Sequence, residues 1–187
     1  MAGIKNFVGA NALITQGGIF ISLFNPELGS WTSLIVNVIQ FIAVVVGMVY
    51  VQTIMGKKNL FLISVPTLAV LNFALVIAMI YENVPALLLL MCIFLTVFGM
   101  GYISPMWAYP VEIIPAVQQL PVNIFHWISI SITMLIPPLV ASFMPKNNPY
   151  PVFIFFGIYT FIGFIHIRST LRESDGLTYK EIISSFK

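Results

Sequence analysis

Apolar residues run along this chain in six long blocks, at about 7–24, 31–54, 60–81, 85–109, 117–142 and 150–167. Each block offers the ~17–25 residues with which an α-helix crosses a bilayer core roughly 30 Å thick. None alternates apolar and polar positions with period two, and all are longer than a barrel strand, so a transmembrane β-barrel is excluded. Short breaks separate the blocks: Asn25 to Ser30, Gly56 to Asn59, Glu82 to Pro85, Pro110 to Ala116 and Pro145 to Pro149. The pattern predicts an all-α membrane protein, with a six-helix transmembrane bundle over 1–170 and a polar turn and short amphipathic helix over 171–187. In that tail, Thr178 and Glu181 have the spacing of a capping box. Leu177, Ile182, Ile183 and Phe186 form one apolar stripe suited to the membrane interface.

Composition removes the soluble alternatives. Hydrophobic residues make up 59% of the chain and charged residues 7%, with a mean hydropathy of +1.01. A soluble domain carries roughly 25% charged residues to cover its surface. The single cysteine, Cys92, excludes a disulfide framework and a Cys-rich metal site. Two histidines and six acids show neither metal-ligand spacing nor a nucleophile–base arrangement. No enzyme, metal or cofactor is therefore expected. A channel filter is not expected either, since no charged ring or filter-like glycine run is present. Lys5 precedes an apolar run, but no small-residue cleavage site leads into a soluble domain, so a secretory signal is not expected. A net charge of +2 gives no reason to expect nucleic acid as a partner.

The placement of charge is more informative than its sum. Six crossings put both termini on one side, together with Lys5, Lys57, Lys58, Arg168, Arg172, Lys180 and Lys187. Lys146 alone falls on the other. The positive-inside rule then places the termini in the cytoplasm or its equivalent. For a subunit of a large complex in the mitochondrial inner membrane, that equivalent would be the matrix.

The run from Gly99 to Pro115 joins a Gly-containing half-helix to Trp107 and then to Tyr109-Pro110-Val111-Glu112-Ile113-Ile114-Pro115. It resembles the tenth transmembrane helix of the sugar porter family, a branch of the major facilitator superfamily of secondary transporters. The resemblance implies that Trp107 lines a sugar pocket, where an indole packs on C–H surface and donates a hydrogen bond. The structural alternative is a core aromatic, or a member of an interfacial belt with Tyr109. Gly9-Ala10-Asn11-Ala12 resembles the Gly-x-Asn-Ala of family helix seven, whose Asn helps bind sugar. Lys5 and Asn6 replace two family glutamines there, and Thr15 and Gln16 replace an aromatic pair. Asn11 would otherwise serve as a hydrogen bond to a neighbouring helix.

Thr53-Ile54-Met55-Gly56-Lys57-Lys58 corresponds to the family's acid-Arg-x-Gly-Arg-Arg, keeping the glycine and two cations. The resemblance implies a reduced gate of Lys57 and Lys58 with Glu112, without the bidentate geometry of arginine. Two lysines obeying the positive-inside rule are the plainer reading. Gln119 stands where the family has an arginine. His126-Trp127 resembles the Asn-Trp pair of helix eleven, and His126 is either an intramembrane proton relay or a neutral, hydrogen-bonded side chain. Arg172 to Thr178, with Glu181-Ile182, resembles the family's tail motif.

These six helices would match helices seven to twelve of a twelve-helix carrier whose pocket lies between its halves. The gating charges are thinned, and Asn11, Gln16, Asn37, Gln40, Trp107 and His126 read as polar residues scattered among apolar ones. The expected function is therefore a transporter-derived structural or accessory subunit of a larger membrane complex. The alternative is a sugar or other solute carrier, working as a homodimer or with a separate N-terminal half. Expected partners are the lipid bilayer and other membrane subunits or a second copy. Gly9, Gly47, Gly157 and Gly163 are expected at close helix approaches.

Overall fold

A computed structural model of the chain describes residues 8–103, 105–106, 119–121, 123–124, 127–128, 131–132, 135 and 150–170. Every extended element among them is helical: α1 (Ala10–Ser22), α2 (Pro26–Val46), α3 (Gln52–Met55), α4 (Lys57–Ile80), α5 (Val84–Val97) and α6 (Tyr150–Thr170). A π-helical stretch, Gly47–Val51, joins α2 to α3, and a second, Phe98–Ile103, continues α5. Four helices among the described residues are long and apolar enough to cross a bilayer: Pro26–Met55, Lys57–Ile80, Val84–Ile103 and Tyr150–Ser169. With only 13 residues, α1 is about 20 Å long and does not span the ~30 Å core alone.

Three helices, α2, α4 and α5, start earlier than their apolar blocks, for local chemical reasons. At the start of α2 the Asn25 side-chain oxygen accepts from the Leu28 amide at 3.1 Å. Pro26 sits where its missing N–H costs nothing, and Glu27 suits the positive end of the helix dipole. The polar stretch from Pro26 to Ser30 is thus helix rather than loop. Asn83 repeats the device, accepting from the Ala86 amide at 3.1 Å ahead of Pro85. The expected break Gly56 to Asn59 shrinks to Gly56 alone. Its φ of +74° is a conformation that glycine adopts without a steric penalty, which lets α4 begin at once with Lys57.

Packing is by shape, because lipid offers no hydrophobic drive between helices. The chain α1–α2–α5–α4–α6 forms successive contacts, with α4 lying along α6 and α1 along α2. Leu13, Ile21, Leu68, Leu75, Leu87, Met91, Phe94, Leu95, Tyr102, Phe153 and Phe156 are fully enclosed. Edge-on aromatic pairs join the elements: Phe20 with Phe153 at 5.3 Å and Phe61 with Tyr102 at 5.6 Å between ring centres. Three of the four glycines expected at close approaches have such neighbours. A Cβ on Gly9 would lie 3.0 Å from the Phe156 ring, one on Gly157 would lie 3.0 Å from the Phe73 ring, and one on Gly47 would lie 2.6 Å from the Met100 Cα. The last contact brings the two π-helical stretches together. Behind them the Ser64 hydroxyl, buried on α4, donates to the Gly101 carbonyl at 3.0 Å.

Candidate functional site: a polar seam between α1 and α2

The α1–α2 pair is closed by small residues. A Cβ on Gly29 would lie 2.5 Å from the Ser22 Cβ, and one on Gly18 would collide with the Ser33 hydroxyl. Those two contacts fix an antiparallel register, Ser22 opposite Gly29 and Gly18 opposite Ser33. Continued by whole turns of about 3.6 residues, it puts Thr15 and Asn37, and Asn11 and Gln40, at matching levels on the facing sides of the two helices.

Burial shows which way this row faces. On α1, Ala10, Leu13, Gly17, Phe20 and Ile21 are buried, whereas Thr15 and Ile19 are exposed and Asn11 and Ser22 are partly exposed. On α2, Gly29, Thr32, Val36 and Ala43 are buried, and Trp31, Leu34, Val38, Phe41, Ile42 and Val45 form a broad exposed apolar face. Ser30, Ser33, Asn37 and Gln40, spaced three, four and three residues apart, run between those two faces, on the α1 side. The polar positions of α1 and α2 therefore border one open seam. The sequence had shown Asn11, Asn37 and Gln40 as scattered; the antiparallel register is what collects them.

The seam lies at membrane depth. Asn37 stands twelve residues beyond the Asn25 cap, about 18 Å along the helix, and Gln40 about 22 Å. Several of its groups are satisfied by their own helices: the Thr15 hydroxyl donates to the Asn11 carbonyl at 2.6 Å, and the Asn37 amide donates to the Ser33 carbonyl at 2.6 Å. Such back-bonding satisfies the donor hydrogens it uses and leaves the hydroxyl oxygen and the amide carbonyl oxygen as open acceptors. Turning open amides toward hydrocarbon is costly, so the seam suits water, a polar solute or another protein better than lipid.

The lysines occupy the opposite end of the bundle. Lys57, the first residue of α4, is only 8% exposed, and Lys58 is half-buried. A cation at a helix N-terminus is disfavoured by the dipole, and no acid stands in that first turn. The positive-inside rule asks only for a charge on that side of the membrane, so the burial of Lys57 goes beyond it. Asn11, Lys57 and Lys58 are not brought together; the other predicted site residues, Trp107, Glu112 and His126, lie outside the described residues. No group of His, Cys, Asp or Glu among the described residues could hold a metal ion.

The fold is shared with a solved structure of the MFS (major facilitator superfamily) proton:xylose symporter XylE bound to 6-bromo-6-deoxy-D-glucose. The two superpose with a TM-score of 0.84 at 18% sequence identity, over 100% of this chain and 41% of the symporter. The chain thus spans less than half the length of that protein, and at such identity the likeness speaks to the fold. No curated protein matches the sequence. The family of sugar (and other) transporters matches over residues 1–186, and this chain belongs to it.

Proposed function

We propose that this chain forms a six-helix wall of a solute carrier of the sugar-porter type, with the α1–α2 seam facing the solute path. The family's members are transporters, not enzymes, and their setting is the lipid bilayer. The observation that carries the reading is the row of open polar side chains on an exposed helix face at membrane depth. In this reading Asn11, Asn37 and Gln40 replace part of the hydration of a polyhydroxylated solute, and Trp107 and His126 extend the lining from elsewhere in the bundle. Lys57, buried at the base of α4, is the anchor of a charged latch whose acid is Glu112, with Lys58 beside it. Both termini face the cytoplasm or its equivalent, and 171–187 supplies a polar turn followed by a short amphipathic helix at the interface. The opposing wall is a second copy or a separate six-helix half.

The test is uptake of labelled hexose into liposomes holding the purified chain, with its partner where one co-purifies. Asn11→Ala should lower uptake efficiency by roughly five- to tenfold, as the loss of one solute hydrogen bond worth about 1 kcal/mol requires. A second reading, a structural subunit that has lost transport, is favoured by the residues at the gate positions. Lysines replace the two cations of the family's arginine pair, and Gln119 stands where the family has an arginine. Absence of uptake, with the chain migrating only inside a large membrane complex, would decide for the subunit.

A further inference from the structure

At the end of the bundle opposite the lysines, Leu23, Phe24, Glu82 and Val84 line an open cavity of about 260 Å³. Three of these four side chains are hydrocarbon, yet the cavity wall is mainly polar. Its polar surface therefore comes from the Glu82 carboxylate and from backbone. No cation or hydrogen-bond donor among the described residues takes that carboxylate.

Glu82 is held there by an uncommon turn. Its amide donates to the Met79 carbonyl and the Asn83 amide donates to the Ala78 carbonyl, each at 3.1 Å. This is the Schellman ending of a helix, whose left-handed residue is usually glycine. Here that residue is Glu82, with a φ of +51°, the one non-glycine residue at positive φ among the described residues. Glycine would adopt the conformation without the steric cost that a Cβ brings. Asn83 caps α5 immediately afterwards, so relaxing the turn would disturb two helix ends. A carboxylate is thus fixed where local sterics favour no side chain at all.

The surrounding field has one sign. α1 ends beside the cavity at Leu23 and α4 ends at Tyr81, so the negative ends of two helix dipoles lie near the carboxylate. A cation is the complementary occupant. The cavity has the volume of about nine water molecules at roughly 30 Å³ each, which is too roomy for a bare metal ion. No group of His, Cys, Asp or Glu among the described residues could hold such an ion. Leu23, Phe24 and Val84 instead offer apolar surface to a short carbon chain.

We propose that this cavity binds a primary ammonium group carried on a short carbon chain. The ammonium donates to the Glu82 carboxylate, the carbons lie against Leu23, Phe24 and Val84, and the remaining N–H groups stay in water. The turns that line the cavity lie where the helices leave the membrane. The ammonium is therefore either the headgroup of an ethanolamine phospholipid or a free amine in solution. The site uses neither the α1–α2 seam nor an opposing wall.

The probe is free ethanolamine, and the reporter is the Asn83 backbone amide of the full chain in lipid nanodiscs, read by NMR. Glu82-Asn83 is the one Glu-Asn step in the sequence, so labelling glutamate carbonyls and asparagine nitrogens assigns that amide. In phosphatidylcholine nanodiscs, whose headgroup has no N–H, ethanolamine should shift the amide saturably. Tetramethylammonium, with the same charge and no N–H, should bind at least about tenfold more weakly. Glu82→Gln, which keeps the shape of the side chain, should weaken ethanolamine binding by a similar factor. Phosphatidylethanolamine nanodiscs separate the two sources. An amide already shifted there and no longer responsive to ethanolamine assigns the headgroup; an unshifted amide that still responds assigns the free amine. Absence of a saturable shift in both lipids, an equal response to tetramethylammonium, or undiminished binding by Glu82→Gln overturns the proposal. The result is read in the same way whether or not hexose uptake is observed.

Discussion

At the scale of single residues, a glycine's neighbours decide what a methyl group does there. A Cβ on Gly47 would stand 2.6 Å from the Met100 Cα and 2.7 Å from the Met100 carbonyl oxygen, both backbone atoms of the facing π-helical stretch. Neither can move without shifting a helix, so Gly47→Ala should cost about 1–3 kcal/mol. A Cβ on Gly17 would meet only the Met91 terminal methyl, at 2.6 Å, the far end of a flexible, unbranched side chain that can shift by rotamer changes rather than by backbone movement. Exchanging glycine for alanine inside a helix gains about 0.5–1 kcal/mol, so Gly17→Ala should be neutral or slightly stabilising. Thermal unfolding of the two variants in one detergent checks the contrast, and equal shifts would refute the π–π contact as the tight point. The sequence marked Gly47 as a packing glycine but showed nothing of a π-helix around it. That geometry arises where two helices press together, which residue pattern along one helix does not encode.

Among the elements, what was legible depended on whether the signal was local. The apolar blocks announced α2 with α3, α4, α5 and α6. Asn25-Pro26 and Asn83-Val84-Pro85 carried the caps, although apolar pattern alone placed those helix starts too late. The seam was legible only as separate polar residues, because the antiparallel register of α1 and α2 is set by glycine and serine contacts between the two helices, which periodicity along either helix does not encode. The caps give a direct prediction. Asn25→Ala and Asn83→Ala should each lose about 1 kcal/mol, whereas Asn25→Ser should lose little, since serine also accepts from the first turn. Amide exchange should report it locally, with the Leu28 amide exchanging faster in Asn25→Ala while those at the centre of α2 stay protected. An unchanged Leu28 amide would mean that Pro26 and the membrane surface fix the helix start without the cap.

For the whole molecule, the question is which exposed faces meet lipid and which meet water or protein. On α2 the two candidates lie side by side: Leu34 and Phe41, 56% and 71% exposed, belong to the apolar face, while Ser33 and Asn37 belong to the seam. Ser33 and Leu34 are chain neighbours within about 1.5 Å of the same depth, so depth cannot explain a difference between those two. A cysteine reacts as its thiolate, which forms in water and not in hydrocarbon. With Cys92, half-buried on α5, replaced by serine, single cysteines at the four positions can be exposed to a charged, water-soluble maleimide in intact membranes. If the seam lines an aqueous path, Ser33→Cys and Asn37→Cys should react at least about tenfold faster than Leu34→Cys and Phe41→Cys. Saturating hexose should slow the faster pair if the path holds sugar. Uniformly slow labelling would place the seam under a partner subunit, because open amides at that depth turned toward bare lipid would be too costly. The same four cysteines therefore separate a carrier wall from a structural subunit, and they do so by the register of one helix.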